Sequence, residues 1–188
     1  TDTPHFNLRP DESCPFLRPD GLCSMILRHG EDFLCDICRD HPRFRSFWTD
    51  RTELGLGLVC EEAARLILGR KTPMRLITLS DDGADQPLPE DEAWLLELRD
   101  RLLDGITETG PRARLLEYLI YRHLPDTLYD DRLDERLHFI ECAFREITGI
   151  WEKTDHSLSA ISDCARRWSY DGEYDDEELL RRLDNSDY

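Results

Sequence analysis

Five cysteines fall within the first sixty residues: Cys14, Cys23, Cys35, Cys38 and Cys60, spaced C-x8-C-x11-C-x2-C-x21-C. A C-x2-C pair lets two thiolates face one ion from a single turn, as tetrahedral zinc and iron–sulfur centres require. The pair here is Cys35-Asp36-Ile37-Cys38, expected on a short helix. Further ligands are available from Cys14 and Cys23, which bracket a Pro-Asp-Gly turn, or from Cys60, and His29 and His41 stand near enough in sequence to substitute. The spacing matches no zinc finger, so the residues alone leave three readings open: a metal or cluster site, disulfides, or unlinked thiols. Disulfides suit an exported small domain, whereas this chain has seven cysteines and a helical half able to build its own core. A thioredoxin-like use of Cys35 and Cys38 lacks the βαβ setting that chemistry needs. Cys142 and Cys164 lie far away on apolar helix faces and read as core packing.

The elements that must position these thiols read as helices, and the expected fold class is all-α: a small cysteine-rich helical lobe packed on an irregular helical bundle. Three stretches follow from composition. Residues 1–71 form the cysteine-rich lobe, punctuated by Pro10, Pro15, Pro19-Asp20-Gly21, Gly30 and Pro42; residues 72–89 read as a linker rich in Asp, Gly and Pro; residues 90–188 read as an acidic bundle. Short helices are expected over 22–28 and 31–40, and a stronger one over 61–68, stopped by Gly69. Cys60 then sits at a helix N-terminus, where the dipole favours a thiolate. Pro89 followed by Glu90-Asp91-Glu92 marks a helix start, and Pro111 starts another that stops before Pro125. Leu133, Leu137, Ile140, Phe144, Ile147 and Trp151 recur at spacings of three and four, one face of a long helix. Asp155 is the expected cap of the next helix, and a last one spans roughly 175–183.

The net charge is −17, with −2 over residues 1–71 and −15 over residues 72–188. Such a surface repels phosphate backbones, which argues against nucleic acid and leaves simple solubility or a basic protein partner. No apolar run is long enough to cross a bilayer, and the opening TDTPHFNLRPDE lacks the basic and apolar regions of a secretory signal. Gly55-Leu56-Gly57 is a lone G-x-G and reads as a turn or tight packing site; no strand-then-helix unit frames it as a nucleotide loop.

The run CPFLRPDGLCSMILRHGEDFLCDICRDHPRF (14–44), followed by ELGLGLVCEEAARLILG (53–69), resembles the flagellin lysine-N-methylase family. The likeness rests on a Cys-Pro-Phe-Leu start, a Gly-Leu-Cys soon after, a Cys before Arg-x-x-Pro-Arg, and a Cys opening an Ala-Arg-Leu-Ile-Leu helix. RLLEYLIYRHL (114–124) and the helical tail are similar in type. The family's further cysteine-rich stretch ahead of the first motif is not present, and its usual Cys-Pro-Glu is Cys60-Glu61-Glu62 here. The resemblance implies transfer of a methyl group from S-adenosylmethionine to lysines of a protein such as flagellin, in a bacterial cytoplasm, with a cysteine-held iron–sulfur cluster or zinc. It carries Cys14, Cys23, Cys38 and Cys60 over as ligands, with Cys35 as a variable extra and Pro42-Arg43 as the family's Pro-Arg pair. A lysine acceptor must lose its proton before it attacks, and Tyr118, Tyr121, Glu117 and Glu141 are candidates to take it, none selected by spacing. The alternative is a non-catalytic zinc- or iron–sulfur-binding protein whose acidic bundle docks a basic partner.

Overall fold

The computed structural model describes residues 6–11, 13–81, 86–173 and 176–184. Part of the expected linker, 82–85, and the expected start of the last helix at Asp175 lie outside the described residues. Contacts divide the chain into two units, Thr1–His41 and Pro42–Tyr188.

The smaller unit holds α1 (Ser24–His29), a 3-10 turn at Glu31–Phe33 and α2 (Asp36–Asp40). The helix expected over 31–40 is therefore interrupted: Leu34 and Cys35 are extended, so the chain turns between the two pieces. Ahead of α1, Gly21 closes a tight turn by donating its N–H to the Arg18 carbonyl at 3.0 Å, at φ +79, a value that favours glycine. Leu17 and Cys23 pair across that turn as an isolated bridge, and the Arg9 guanidinium donates to the carbonyls of Pro15 and Leu17. None of the described residues of this unit is buried; Phe33 and Ile37 are 63% and 83% exposed.

In the larger unit the mostly helical expectation holds, with one correction to the all-α reading. β1 (Arg43–Phe47) and β2 (Thr52–Leu56) form an antiparallel hairpin in register from Arg43↔Leu56 to Phe47↔Thr52. The hairpin escaped the pattern because its two buried strand positions, Ser46 and Glu53, are polar and β-branched residues are scarce. Gly55 faces Phe44 across the ladder, and a Cβ there would come within 2.2 Å of the ring, so the G-x-G begins as a packing site.

Helices complete the unit: α3 (Glu61–Leu68), α4 (Glu90–Asp104), α5 (Gly110–His123), α6 (Thr127–Asp130), α7 (Leu133–Trp151), α8 (Leu158–Gly172) and α9 (Asp176–Asp184). Glu61 and Glu62 in the first turn of α3, and three acids in that of α4, complement the positive ends of those helices. Pro111 lies in the first turn of α5, and a 3-10 turn at Leu124–Asp126 follows that helix. Ser157, not Asp155, caps α8: its hydroxyl accepts from the Ala160 N–H at 3.1 Å, while Asp155 accepts from the Ser157 N–H. On α7 the expected stripe meets the core, with Ile140 and Ile147 buried and Leu133, Leu137, Phe144 and Trp151 packed against it.

Two buried polar assemblies fix how these elements pack. The Glu53 carboxylate takes two bonds from Arg99 of α4, at 2.6 and 2.9 Å, and the guanidinium lies over Trp48 and Tyr121. Burial opposes the charge on Glu53, but Arg99 and Arg51 outweigh it and hold the carboxyl below its ordinary range. Deeper in, Glu173, just past α8, accepts from Tyr118 Oη at 3.1 and 3.2 Å, from His123 Nε2 at 2.8 Å and from the Ser169 hydroxyl. Tyr118 Oη in turn accepts the Leu58 N–H at 3.4 Å. An ionised carboxylate only accepts, so the His123 proton sits on Nε2, and Nδ1 has no partner among the described residues.

Burial holds the His123 imidazole below its ordinary value of 6.5 and, with the Glu173 charge, pushes the Tyr118 phenol well above 10. Burial also works against the Glu173 charge, but the His123 and Ser169 bonds prevail and lower that carboxyl below 4.5. Neutral His123 and ionised Glu173 stabilise the fold at higher pH, and that contribution is lost as the unfolded chain takes up protons below 6.5 and then below 4.5. Neutral Tyr118 contributes below pH 10 and less above it. Thermal unfolding against pH is expected to show a plateau between about 6.5 and 10 with a fall on either side. Tyr118→Phe, which leaves the Leu58 N–H without its acceptor, is expected to cost about 1–3 kcal/mol in urea denaturation. Arg99→Met, which leaves the buried Glu53 carboxylate only the more exposed Arg51, is expected to cost about 3 kcal/mol.

Candidate metal centre

The five N-terminal cysteines divide between the two units. Cys14, Cys23, Cys35 and Cys38 belong to the smaller one, and Cys60 to the larger, where it stands at the N-cap of α3. All are free thiols; Cys14, Cys35 and Cys38 are exposed, and Cys23 and Cys60 are half-buried. Disulfides, one of the three readings of the spacing, are not formed by any of these thiols in this structure.

Local structure explains how the four thiols of the smaller unit approach one another. The Pro19-Asp20-Gly21 turn folds the chain back so that Leu17 pairs with Cys23, which brings the Cys14 segment beside the start of α1. Asp20 holds that turn, bonding the Arg18 guanidinium and accepting the Leu22 N–H at 3.2 Å. Cys23 and Cys35 are the N-cap residues of α1 and α2, and Cys38 lies one turn into α2.

Charge reports their proximity. The Cys38 thiol is pushed up first by its bond with Cys35, then by burial, and then by the negative charge of Cys35, Cys14 and Cys23. Cys35 is lowered, chiefly by the Cys38 backbone N–H and next by the Cys38 thiol. Of the two, Cys35 is therefore the first to give up its proton and Cys38 the later. Among the described residues no three His, Cys, Asp or Glu side chains stand in the geometry of a closed metal site. Cys14 and Cys23 lie close enough for their charge to act on Cys38, and thiolate sulfur is the donor that zinc and iron–sulfur clusters take. Cys35, a variable extra in the resemblance, is the nearest partner of Cys38 here.

The candidate proton acceptors are placed as follows. Tyr118 is 2% exposed and closed into the Glu173 network. Glu117 is buried, paired with Arg114 at 2.8 Å and accepting the Met74 N–H at 3.0 Å. Tyr121 is half-buried beneath Arg99, and burial raises its phenol. Glu141 is exposed on α7, 3.7 Å from Arg145. Of the two helical cysteines, Cys164 is buried and its thiol is pushed up by that burial, as a core residue should be. Cys142 departs from the core reading: it is half-buried and lines a cleft. Its position was legible, since His138 and Cys142 are four apart on one helix and must share a face.

Among the described residues no helix is long and apolar enough to cross a membrane. Comparison of the chain with protein-family models, curated proteins and solved structures finds no match.

The opposite shifts of Cys35 and Cys38 set an order of reaction. In metal-free protein at neutral pH, limited iodoacetamide is expected to alkylate Cys35 before Cys38, read by peptide mass mapping. Equal labelling of the two would show that their thiols do not differ in this way.

Proposed function

We propose that the chain is a cysteine-held metal or iron–sulfur protein, with Cys14, Cys23, Cys35 and Cys38 as the residues that would hold the centre. The observation that carries this is the combination of three thiols acting on Cys38 with a unit of about forty residues that buries none of its described side chains. A chain of that length without a core ordinarily needs a metal, disulfides or a partner to fold. Each fully buried Leu or Phe would contribute about 1.5–3 kcal/mol, and this unit has none of that support among its described residues. A bound ion or cluster supplies a cross-link worth far more than the turns and short helices around it. The chain's own part is to present sulfur at the N-caps of α1 and α2 and to lower the Cys35 thiol through the Cys38 backbone N–H. Free thiols accord with a cytoplasmic setting.

The resemblance extends this reading to a protein-lysine N-methyltransferase that takes its methyl group from S-adenosylmethionine, with a lysine-bearing protein such as flagellin as acceptor. A metal-holding lobe carried by an acidic bundle is compatible with a basic acceptor, since residues 72–188 carry −15. The second reading, a non-catalytic metal protein that docks a basic partner, is favoured by the enclosure of Tyr118 and Glu117, which leaves neither free to take a proton from an incoming amine.

Anaerobically purified protein is expected to contain iron and sulfide with a visible absorption band, or zinc without one. Cys38→Ser is expected to weaken metal retention by more than about tenfold and to lower the unfolding temperature of the loaded protein. Metal-free wild type with an unchanged unfolding temperature would overturn the metal reading. Loaded protein is then offered labelled S-adenosylmethionine and flagellin: label on flagellin lysines supports the methyltransferase, whereas full loading with no transfer leaves the docking reading standing.

A further inference from the structure

Within the larger unit, α7, α8 and α9 enclose a cleft of about 370 Å³. Phe139 and Trp168 give it apolar lining, and His138, Cys142, Arg145 and Glu146 bring polar groups to it from successive turns of α7. The Cys142 sulfur lies 3.2 Å from His138 Nε2 and 3.7 Å from Arg145 Nη2. An imidazole and a guanidinium therefore flank one half-buried thiol that faces a cavity of small-ligand size. The imidazole nitrogen stands where it can take the thiol proton, and the guanidinium lies beside the same sulfur. Glu146, the nearest following acid on that face, is engaged elsewhere, accepting from Trp168 Nε1 at 2.8 Å and from Arg182 at 3.1 Å. Glu141 shares Arg145 only loosely, at 3.7 Å on the exposed side of the helix.

We propose that Cys142 is a reactive thiol, separate from the cysteine lobe, that exchanges with small disulfides in this cleft. His138 takes the Cys142 proton, and the thiolate attacks one sulfur of a low-molecular-weight disulfide. A new bond forms between Cys142 and that sulfur as the disulfide's own S–S bond breaks. The departing thiolate leaves with that electron pair and accepts the proton from His138. Cys142 is thereby oxidised to a mixed disulfide, and half of the small molecule is reduced to a free thiol. A second small thiol reverses the step by the same route.

The arrangement is specific to this helix face. Cys164, on α8, is buried, and burial pushes its thiol up more than the nearby Arg167 charge lowers it. Its thiol is an internal reference for an inert cysteine in the same protein.

The test uses the full chain with oxidised glutathione at neutral pH, with peptide mass mapping to separate the sites. Cys142 is expected to form the mixed disulfide at least about tenfold faster than Cys164, and His138→Gln to slow Cys142 by about fivefold or more with no change at Cys164. Wild type provides a second measure independent of any variant's folding. Unfolding in urea should slow Cys142, because it removes the flanking groups, while it speeds Cys164 by exposing it. A Cys142 rate no greater than that of Cys164, or one that rises on unfolding, would overturn the proposal.

Discussion

The larger unit depends on where one buried negative charge finds its donors. Glu173 lies past the end of α8, yet its carboxylate must satisfy its lone pairs inside the protein, because a bare buried carboxylate costs several kcal/mol. It does so with Tyr118 and His123 from α5 and Ser169 from α8. Tyr118 passes the constraint on to the Leu58 backbone just ahead of α3. Three segments remote in sequence are thus held in one arrangement by a directional network, where apolar packing alone would permit small slips. Around it Phe139 packs edge-on to His123 and tilts against Trp168, so the apolar core encloses the polar one.

The Glu53–Arg99 pair plays the same part at the hairpin. A two-stranded ribbon is marginal in water. Here it is secured by a bidentate ion pair to α4, by Thr49 bonding Glu92, and by cation–π contacts of Arg99 and Arg51 with Trp48. Polar residues on the inward face, unhelpful as a strand signal, are what attach the strands to the helices.

The smaller unit follows another principle. Its order comes from turns, two short helices and local bonds of Arg9, Arg18 and Asp20, each worth little by itself. Its sulfurs lie at helix starts and beside a turn, positions where backbone geometry changes direction. Cys164 is buried within the helical unit by ordinary packing, and Cys142 on the preceding helix is placed by the same bundle at a cleft. Seven chemically identical side chains therefore serve different physical roles.

Local signals were enough for much of this. The 61–68 helix with its Gly69 stop, the start at Glu90, the Pro111 helix and the stripe on α7 all follow from spacing, caps and breakers, which act within a few residues. So did the turn between Cys14 and Cys23 and the closeness of Cys35 to Cys38. The hairpin was hidden because its inward residues are stabilised by an arginine 46 positions away. The Glu173 network joins residues 50 and 55 apart, and nothing near Tyr118 or His123 in sequence announces a carboxylate partner. Whether a cysteine meets core, cleft or other thiols depends on what the opposite element presents. The sequence by itself determined the helices and the supply of sulfur donors; tertiary structure decided which charges were buried together and which thiols were left reachable, because burial is a property of the assembled chain.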